Sequence, residues 1–121
     1  MEFIKKESIK VLSNPGCESF QLLCPENSSS NRVTITEVHV SPGVSQPRHR
    51  HDTSEQIWYA VNGSAKLLLA DDKTMEFNVG DVARFIDGDI HGVHNDTEKE
   101  FVYISVTAPP INFKYAYQDE K

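Results

Sequence analysis

The chain has 121 residues, a formal net charge of −6 at pH 7, five histidines and two cysteines. This length suits one domain with a single hydrophobic core, so we expect one domain over residues 1–121. The negative charge argues against nucleic acid or an anionic membrane surface as a partner, because both select for clustered lysine and arginine.

The cysteines and the first residues bear on location. Cys17 and Cys24 fit no zinc-binding or redox motif. The N-terminus lacks the long apolar region of a secretory signal, and no apolar run approaches the roughly 20 residues that a membrane span needs. We therefore expect a cytoplasmic protein whose cysteines are reduced thiols.

Short β-strands dominate the predicted secondary structure. Runs rich in Val, Ile, Thr, Phe and Tyr alternate with Gly, Pro, Asn and Asp, and no apolar period of 3.6 residues is sustained. This pattern is typical of an all-β sandwich or barrel. The predicted strands cover residues 3–12, 18–24, 32–40, 48–51, 56–61, 65–70, 75–79, 82–86, 90–95 and 101–107.

Residues 111–117 carry a further strand pattern. Ile111, Phe113, Tyr115 and Tyr117 alternate with more polar residues. Alternation with a period of two indicates a strand with one buried face. Such a terminal strand would either cap its own barrel or add to the sheet of a second copy, and the pattern does not separate these alternatives.

Two closely spaced histidines are the main functional signal. His49 and His51 lie two residues apart, and in an extended chain such side chains share one face. Two imidazoles on one strand face can bind one metal ion. A third donor follows at Glu55 or Gln56, and His91 is the obvious candidate for a fourth.

Two spaced motifs resemble those of the cupin family. The first consists of Gly43, five residues, His49, one residue and His51. The second consists of Gly80, five residues, Ile86, one residue, Gly88, two residues, His91, three residues and Asn95, with Ile86 where the family has proline. The resemblance implies an RmlC-like jelly roll, a small double-stranded β-helix, with its barrel core at about 33–110 and terminal strands at 3–12 and 111–117. It also implies that the metal ligands are His49, His51 and His91.

The remaining ligand is where the sequence departs from the family. The family places six residues between a glutamate and the closing glycine, and counting back from Gly63 reaches Gln56. Glu55 would need one extra residue and would point to the opposite strand face. We therefore favour Gln56, with Glu55 or neither residue as the alternatives.

The predicted donor set constrains the metal. Three imidazoles and one carboxamide oxygen are all neutral, so they leave the charge of a divalent ion uncompensated. Imidazole-rich sites suit Fe, Ni, Cu, Zn or Co better than Mg or Ca. The expected cofactor is therefore one divalent transition-metal ion: Fe, Ni, Zn, Mn, Co or Cu. One or two positions would stay open for water or substrate.

Several other residues of the predicted barrel could reach the site. Trp58 and Ala60 share the strand face of Gln56, so both should point inward. His94 should face away from His91, since the two are three residues apart. Arg48 and Arg84 could bind a carboxylate only if they point inward.

The sequence and the resemblance together favour a metal-dependent enzyme that acts on a small oxygenated or anionic organic molecule, as a dioxygenase, isomerase, lyase or decarboxylase. The alternative is a non-catalytic module that binds a metal or small ligand, because no carboxylate clearly points inward and a fold does not determine a reaction. Small cupins often pair through terminal strands, so we also expect a homodimer.

Overall fold

The computed structural model describes residues 1–120, which form two antiparallel β-sheets. The strands are β1 (Val11–Asn14), β2 (Cys17–Leu23), β3 (Thr34–Val40), β4 (Ser45–His49), β5 (Glu55–Asn62), β6 (Ser64–Leu69), β7 (Thr74–Asn78), β8 (Val82–Phe85), β9 (His91–His94), β10 (Phe101–Ala108) and β11 (Asp119–Glu120). Short 3₁₀ helices cover Lys6–Ser8, Ala70–Asp72 and Phe113–Ala116. No helix within residues 1–120 is long and apolar enough to cross a membrane.

The strand order is that of a jelly roll. The larger sheet has the order β11-β1-β2-β3-β10-β5-β8, and the smaller has the order β4-β9-β6-β7. Strands adjacent in the sheets are often distant in sequence, as where β10 lies between β3 and β5. The predicted all-β double-stranded β-helix is confirmed.

The alternation of each strand determines what lies inside. In β3 the side chains of Thr34, Thr36, Val38 and Val40 are buried, and the intervening ones are more exposed. The inward residues of both sheets pack into one core whose largest members are Trp58, Tyr103, Phe77 and Phe101. Burial of this apolar surface is the main stabilising term of the fold.

The predicted strand at residues 3–12 is wrong. Lys6–Ser8 forms a 3₁₀ helix, and β1 begins at Val11. The Ser8 hydroxyl donates a hydrogen bond to the carbonyl oxygen of Lys5, at 2.8 Å. Such local bonds compete with the ladder of a strand.

The predicted strand at residues 111–117 is also wrong. Phe113–Ala116 is a 3₁₀ helix that begins at Asn112, whose side-chain oxygen accepts a hydrogen bond from the Lys114 amide at 3.1 Å. Asn14 donates to the Ala116 carbonyl at 2.9 Å, and β11 pairs with β1. Residues 111–120, the C-terminal tail, therefore pack on their own barrel, and residues 111–117 do so without forming the predicted strand.

The predicted strand at residues 48–51 is displaced toward the N-terminus. β4 ends at His49, so His51 follows the strand instead of belonging to it. The pairing of β4 with β9 is irregular between Gln46 and His49. Pro47 lies inside this interval and has no backbone N–H to donate, which explains the interruption.

A histidine between two carboxylates lies on the outer face of the larger sheet. The ring nitrogens of His39 are 3.0 Å from Glu100 Oε1 and 2.9 Å from Glu37 Oε2. Partial burial lowers the pKa of His39, but the hydrogen bonds to the two carboxylates outweigh this effect, and the net pKa is raised. His39 and Glu37 thus occupy the outward-facing positions of β3.

This cluster should make stability depend on pH. The raised pKa means that protonated His39 stabilises the fold fully below the ordinary histidine pKa of about 6.5, and that this contribution is lost as pH rises through the folded-state value. We expect His39→Gln to lower the free energy of unfolding more at pH 6 than at pH 9, with a difference of about 1 kcal/mol or less, as for other partly exposed ion pairs.

Urea denaturation of both proteins at the two pH values measures the difference. The double variant Glu37→Gln/Glu100→Gln serves as control, because it removes both carboxylates and should abolish the pH dependence of the His39→Gln effect. An equal cost of His39→Gln at both pH values would contradict the assignment of a protonated histidine.

Candidate metal centre

Three histidines meet at the open end of the barrel. His49 ends β4, His51 follows it, and His91 opens β9 directly opposite His49. One potential ligand atom from each of these side chains lies within 4.8 Å of the other two. The ring centroids are 4.4 Å apart for His49 and His91, 5.0 Å for His49 and His51, and 5.4 Å for His51 and His91.

Backbone carbonyl groups determine which nitrogen is free in two of these rings. His49 Nδ1 donates to the Pro47 carbonyl and His91 Nδ1 to the Asp89 carbonyl, each at 2.9 Å. In a neutral imidazole with a protonated Nδ1, the other nitrogen carries a lone pair. The local chain therefore leaves Nε2 of both rings available as a donor to a metal ion.

His91 is held in an apolar environment. Its side chain is 2% exposed, with the Phe85 ring stacked on it at 4.4 Å and Trp58 approaching at its edge. Burial lowers the pKa of His91 to about 4. Burial also lowers the pKa of His51. Both rings are therefore neutral at pH 7, which is the form that binds metal.

Gln56 lies beside these rings with its amide group fixed. The Trp58 indole, which can only donate, gives a hydrogen bond to Gln56 Oε1 at 3.1 Å. Gln56 Nε2 donates to Thr107 Oγ1 at 2.9 Å. The oxygen must therefore be the atom that lies 3.0 Å from His91 Nε2.

The contact between His91 and Gln56 joins two acceptors. His91 Nε2 carries a lone pair when Nδ1 donates to Asp89, and Gln56 Oε1 has no proton to give. A cation bound to both atoms would turn this repulsion into attraction. Two ligands at about 2.0–2.2 Å from one ion and at about a right angle lie about 3 Å apart, as these atoms do.

His51 gives a second, independent indication. Its Nε2 is buried and has no hydrogen-bond partner among residues 1–120. A buried polar atom without a partner calls for an explanation, and a bound ion is one. The donors present therefore fit a transition metal, for which neutral imidazoles are preferred ligands.

Glu55 lies on the other face of β5. Its carboxylate accepts a hydrogen bond from Arg84 Nε at 2.7 Å, on the outside of the larger sheet. Gln56 is 4% exposed and points inward together with Trp58 and Ala60, as the alternation predicts. The structure thus places Gln56, and not Glu55, next to the histidines.

The remaining candidates lie away from this cluster. His94 Nδ1 contacts Ser45 Oγ at 2.5 Å. Arg48 donates to the carbonyl oxygens of Leu69 and Lys73. Neither Arg48 nor Arg84 lines the cavity described below.

A cavity of about 370 Å³ adjoins the histidines. Its walls include His49, His51 and Gln56, the aromatic residues Trp58 and Tyr103, and the tail residues Phe113, Tyr115 and Tyr117. Small hydroxyl-bearing residues complete the inner wall: Ser19, Thr36 and Ser105.

Two parts of this site were not predicted from the sequence. The first is the tail, whose Phe113 ring centroid lies 6.0 Å from that of His51. The second is the pair Ser105 and Thr107, although alternation in β10 puts both on the buried face with Tyr103. The sequence did contain a signal for these two residues, because polar side chains on the inward face of a buried strand indicate a site.

Comparison with known proteins agrees with this architecture. A family model described as a cupin domain matches residues 36–107. The polyketide cyclase RemF from Streptomyces resistomycificus is similar, with 24% identity over 89% of this chain and 79% of its own, and a TM-score of 0.77. KdgF from Halomonas sp. shows 20% identity over 92% and 96% of the respective chains, with a TM-score of 0.76.

A Cupin 2 conserved barrel domain protein from Salinispora arenicola shares 27% identity over 88% of this chain and 87% of its own, with a TM-score of 0.70. No curated protein sequence matches significantly. The family model covers more than half of the chain and includes the three clustered histidines and Gln56. The chain therefore belongs to the cupin family.

Proposed function

We propose that His49, His51, Gln56 and His91 bind one divalent transition-metal ion, and that the protein is an enzyme that uses it on a small oxygenated organic molecule. The observation that carries the proposal is the convergence of donor atoms beside a cavity, above all the 3.0 Å contact between His91 Nε2 and Gln56 Oε1. Similarity to a polyketide cyclase supports an enzymatic role.

The metal would act as a Lewis acid on a substrate oxygen, or as a redox centre if it is iron or copper. The chain's own residues hold the donors and limit the access of water. Phe85 stacks on the back of His91, and Phe113 lies at the edge of His51. A low local dielectric strengthens the electrostatic interactions made inside such a site.

A non-catalytic binding module is the second candidate. No aspartate or glutamate lines the cavity within residues 1–120, so no carboxylate is placed there as a general base. Burial raises the pKa of Tyr103 and of Tyr117, which keeps both hydroxyl groups protonated. They can donate hydrogen bonds but are poor bases at neutral pH.

The ligand assignment predicts an order among variants. We expect His51→Ala and His91→Ala to abolish metal retention. Gln56→Ala should weaken metal affinity by about 10–100-fold or more, since losses of about this size are typical of substitutions around a metal site. Gln56→Glu should retain the ion, because a carboxylate oxygen can replace the carboxamide oxygen. Elemental analysis after dialysis, and competition with a chelator, measure the effect.

Glu55→Gln is the matched control, since it changes the neighbouring side chain on the outer face of β5. It should leave metal content unchanged. A larger loss from Glu55→Gln than from Gln56→Ala would show that the strand register assigned to the ligands is wrong.

Catalysis can be tested by reconstitution. Metal-free protein should be loaded separately with Fe, Mn, Co, Ni, Cu and Zn, then incubated with small phenols, enols, keto acids and sugars in air and without oxygen. We expect turnover that depends on one metal and disappears in His51→Ala. Mass spectrometry of the products and oxygen uptake measure this turnover. Tight binding of metal and small molecules without product in any form would favour the binding module.

We propose a second copy of this chain as the protein partner. The terminal strands that suggested a homodimer are not formed as predicted, but the outer face of β5 and β8 carries an apolar patch beside the Glu55–Arg84 ion pair. Ile57, Tyr59 and Val82 are 36%, 47% and 64% exposed, and Tyr59 pairs with Val82. Ile104 and Val106 of β10 lie opposite Tyr59 and Ile57. Three adjacent strands, about 10–15 Å wide, can form the apolar centre of a two-fold interface.

We expect the wild type to be a dimer and Tyr59→Glu to be a monomer, because a buried unpaired carboxylate opposes association. Light scattering coupled to size-exclusion chromatography measures the mass. Met75→Glu is the control: Met75 is 59% exposed on the smaller sheet. A wild type that stays monomeric throughout a concentration series would overturn this proposal.

We propose a cytoplasmic location. The unpaired state of Cys17 and Cys24 supports it, since disulfides are rare in that compartment.

A further inference from the structure

We infer that the inner part of the cavity is a subsite for an uncharged ring whose hydroxyl or carbonyl group is hydrogen-bonded by Ser105. The inference rests on the proposed function, because it names the substrate class of the same cavity. It assigns Ser105 as a specificity-determining residue.

Ser105 carries a hydroxyl group without a partner. The residue is 3% exposed, it lines the cavity, and its Oγ has no hydrogen bond to any residue in the range 1–120. Leaving such a group unsatisfied is unfavourable for the folded protein. Since this hydroxyl can both donate and accept, an oxygen atom of a bound molecule would satisfy it.

The neighbouring strands leave room for a ligand. Ser105 of β10 pairs with Thr36 of β3 on one side and Trp58 of β5 on the other. Thr36 and Ser19 also line the cavity, and both have small side chains. Three small residues on three adjacent strands leave unfilled the space that larger apolar side chains would occupy in a packed core.

The subsite is next to the metal donors. Ser105 lies two residues before Thr107, whose hydroxyl accepts the hydrogen bond from Gln56. Thr107 pairs with Gln56, and Ser105 pairs with Trp58, whose indole binds the Gln56 oxygen. A ligand held by Ser105 therefore lies within a short distance of the donor cluster.

Aromatic rings favour a flat ligand. Trp58 and Tyr103 both line the cavity, with centroids 4.4 Å apart and planes tilted by 32°. Phe113 of the tail also lines the cavity, with its ring centroid 6.0 Å from that of His51. Flat rings pack against such faces with favourable dispersion and quadrupole interactions. A cavity of about 370 Å³ is large enough for a molecule of one or two rings.

The inner wall of the cavity offers no positive charge to an anion. Arg50 is the only permanently charged residue that lines the cavity within the described chain. Its side chain is 63% exposed and paired with Asp52 at 3.3 Å, so it lies at the mouth. A carboxylate next to Ser105 would lose its hydration without gaining a counter-charge, which is costly. The sequence predicted an oxygenated or anionic substrate. An anionic group of such a substrate would therefore lie at the metal or at the mouth of the cavity, and not beside Ser105.

The test uses three probes that share a methyl-substituted benzene ring: p-cresol, toluene and p-toluate. The chain has one tryptophan, so the indole N–H signal of Trp58 in ¹⁵N-labelled protein reports binding. Titrations are made on metal-free protein and on zinc-loaded protein. In the metal-free form we expect p-cresol to bind more tightly than p-toluate. Ser105→Ala should weaken p-cresol by about 3- to 10-fold, the value of one hydrogen bond.

Toluene is the matched control, because it fills the same space without an oxygen. Its affinity should be unchanged in Ser105→Ala. An equal loss of p-cresol and toluene, or tighter binding of p-toluate to metal-free protein, would overturn the inference. Dispersed amide spectra establish that the variant is folded.

The same titrations separate the two proposals. Failure of zinc, and of the other five metal ions used for reconstitution, to shift the Trp58 signal or to remain after dialysis would contradict the proposed metal function, and the metal-free titrations would still test the subsite. Zinc binding without any response to p-cresol would overturn the subsite alone.

Discussion

The contact between His91 Nε2 and Gln56 Oε1 is the constraint on which the site depends. Other hydrogen bonds fix the orientation of each side chain. His91 is bonded to the Asp89 carbonyl, and Gln56 to the Trp58 indole and Thr107. His91 belongs to the smaller sheet and Gln56 to the larger one, so the contact joins the two halves of the barrel. Two acceptors held together at 3.0 Å are stable only if something positive lies between or beside them. The fold thus supplies a preference for a cation before any ion binds.

The interior changes character along the strands, and this explains how one small barrel provides both a core and a cavity. Inward positions of β10 run from Phe101 and Tyr103 to Ser105 and Thr107. The inward positions of β3, which is antiparallel to β10, change from apolar to polar toward the same end. The apolar end buries the larger side chains and stabilises the domain.

The sequence predicted what depends on local spacing and alternation. The spacing of His49 and His51 and the strand face of Gln56 are properties of a few neighbouring residues, and the structure places all three beside the cavity. It could not predict the tail, because alternating apolar residues also suit a 3₁₀ segment held by distant groups such as Asn14. Nor could it identify Ser105. Whether a hydroxyl group has a hydrogen-bond partner depends on neighbours that only folding brings close to it.

The tail is linked to the strand that carries His49 through one glutamine. Gln46 of β4 donates to the Tyr117 hydroxyl at 3.1 Å and accepts a hydrogen bond from the Tyr103 hydroxyl of β10. The same strand ends at His49. The tail, β4 and β10 are therefore held together by these two hydrogen bonds. Since the Phe113 ring centroid also lies 6.0 Å from that of His51, the tail contacts both the strand that carries His49 and the histidine cluster itself.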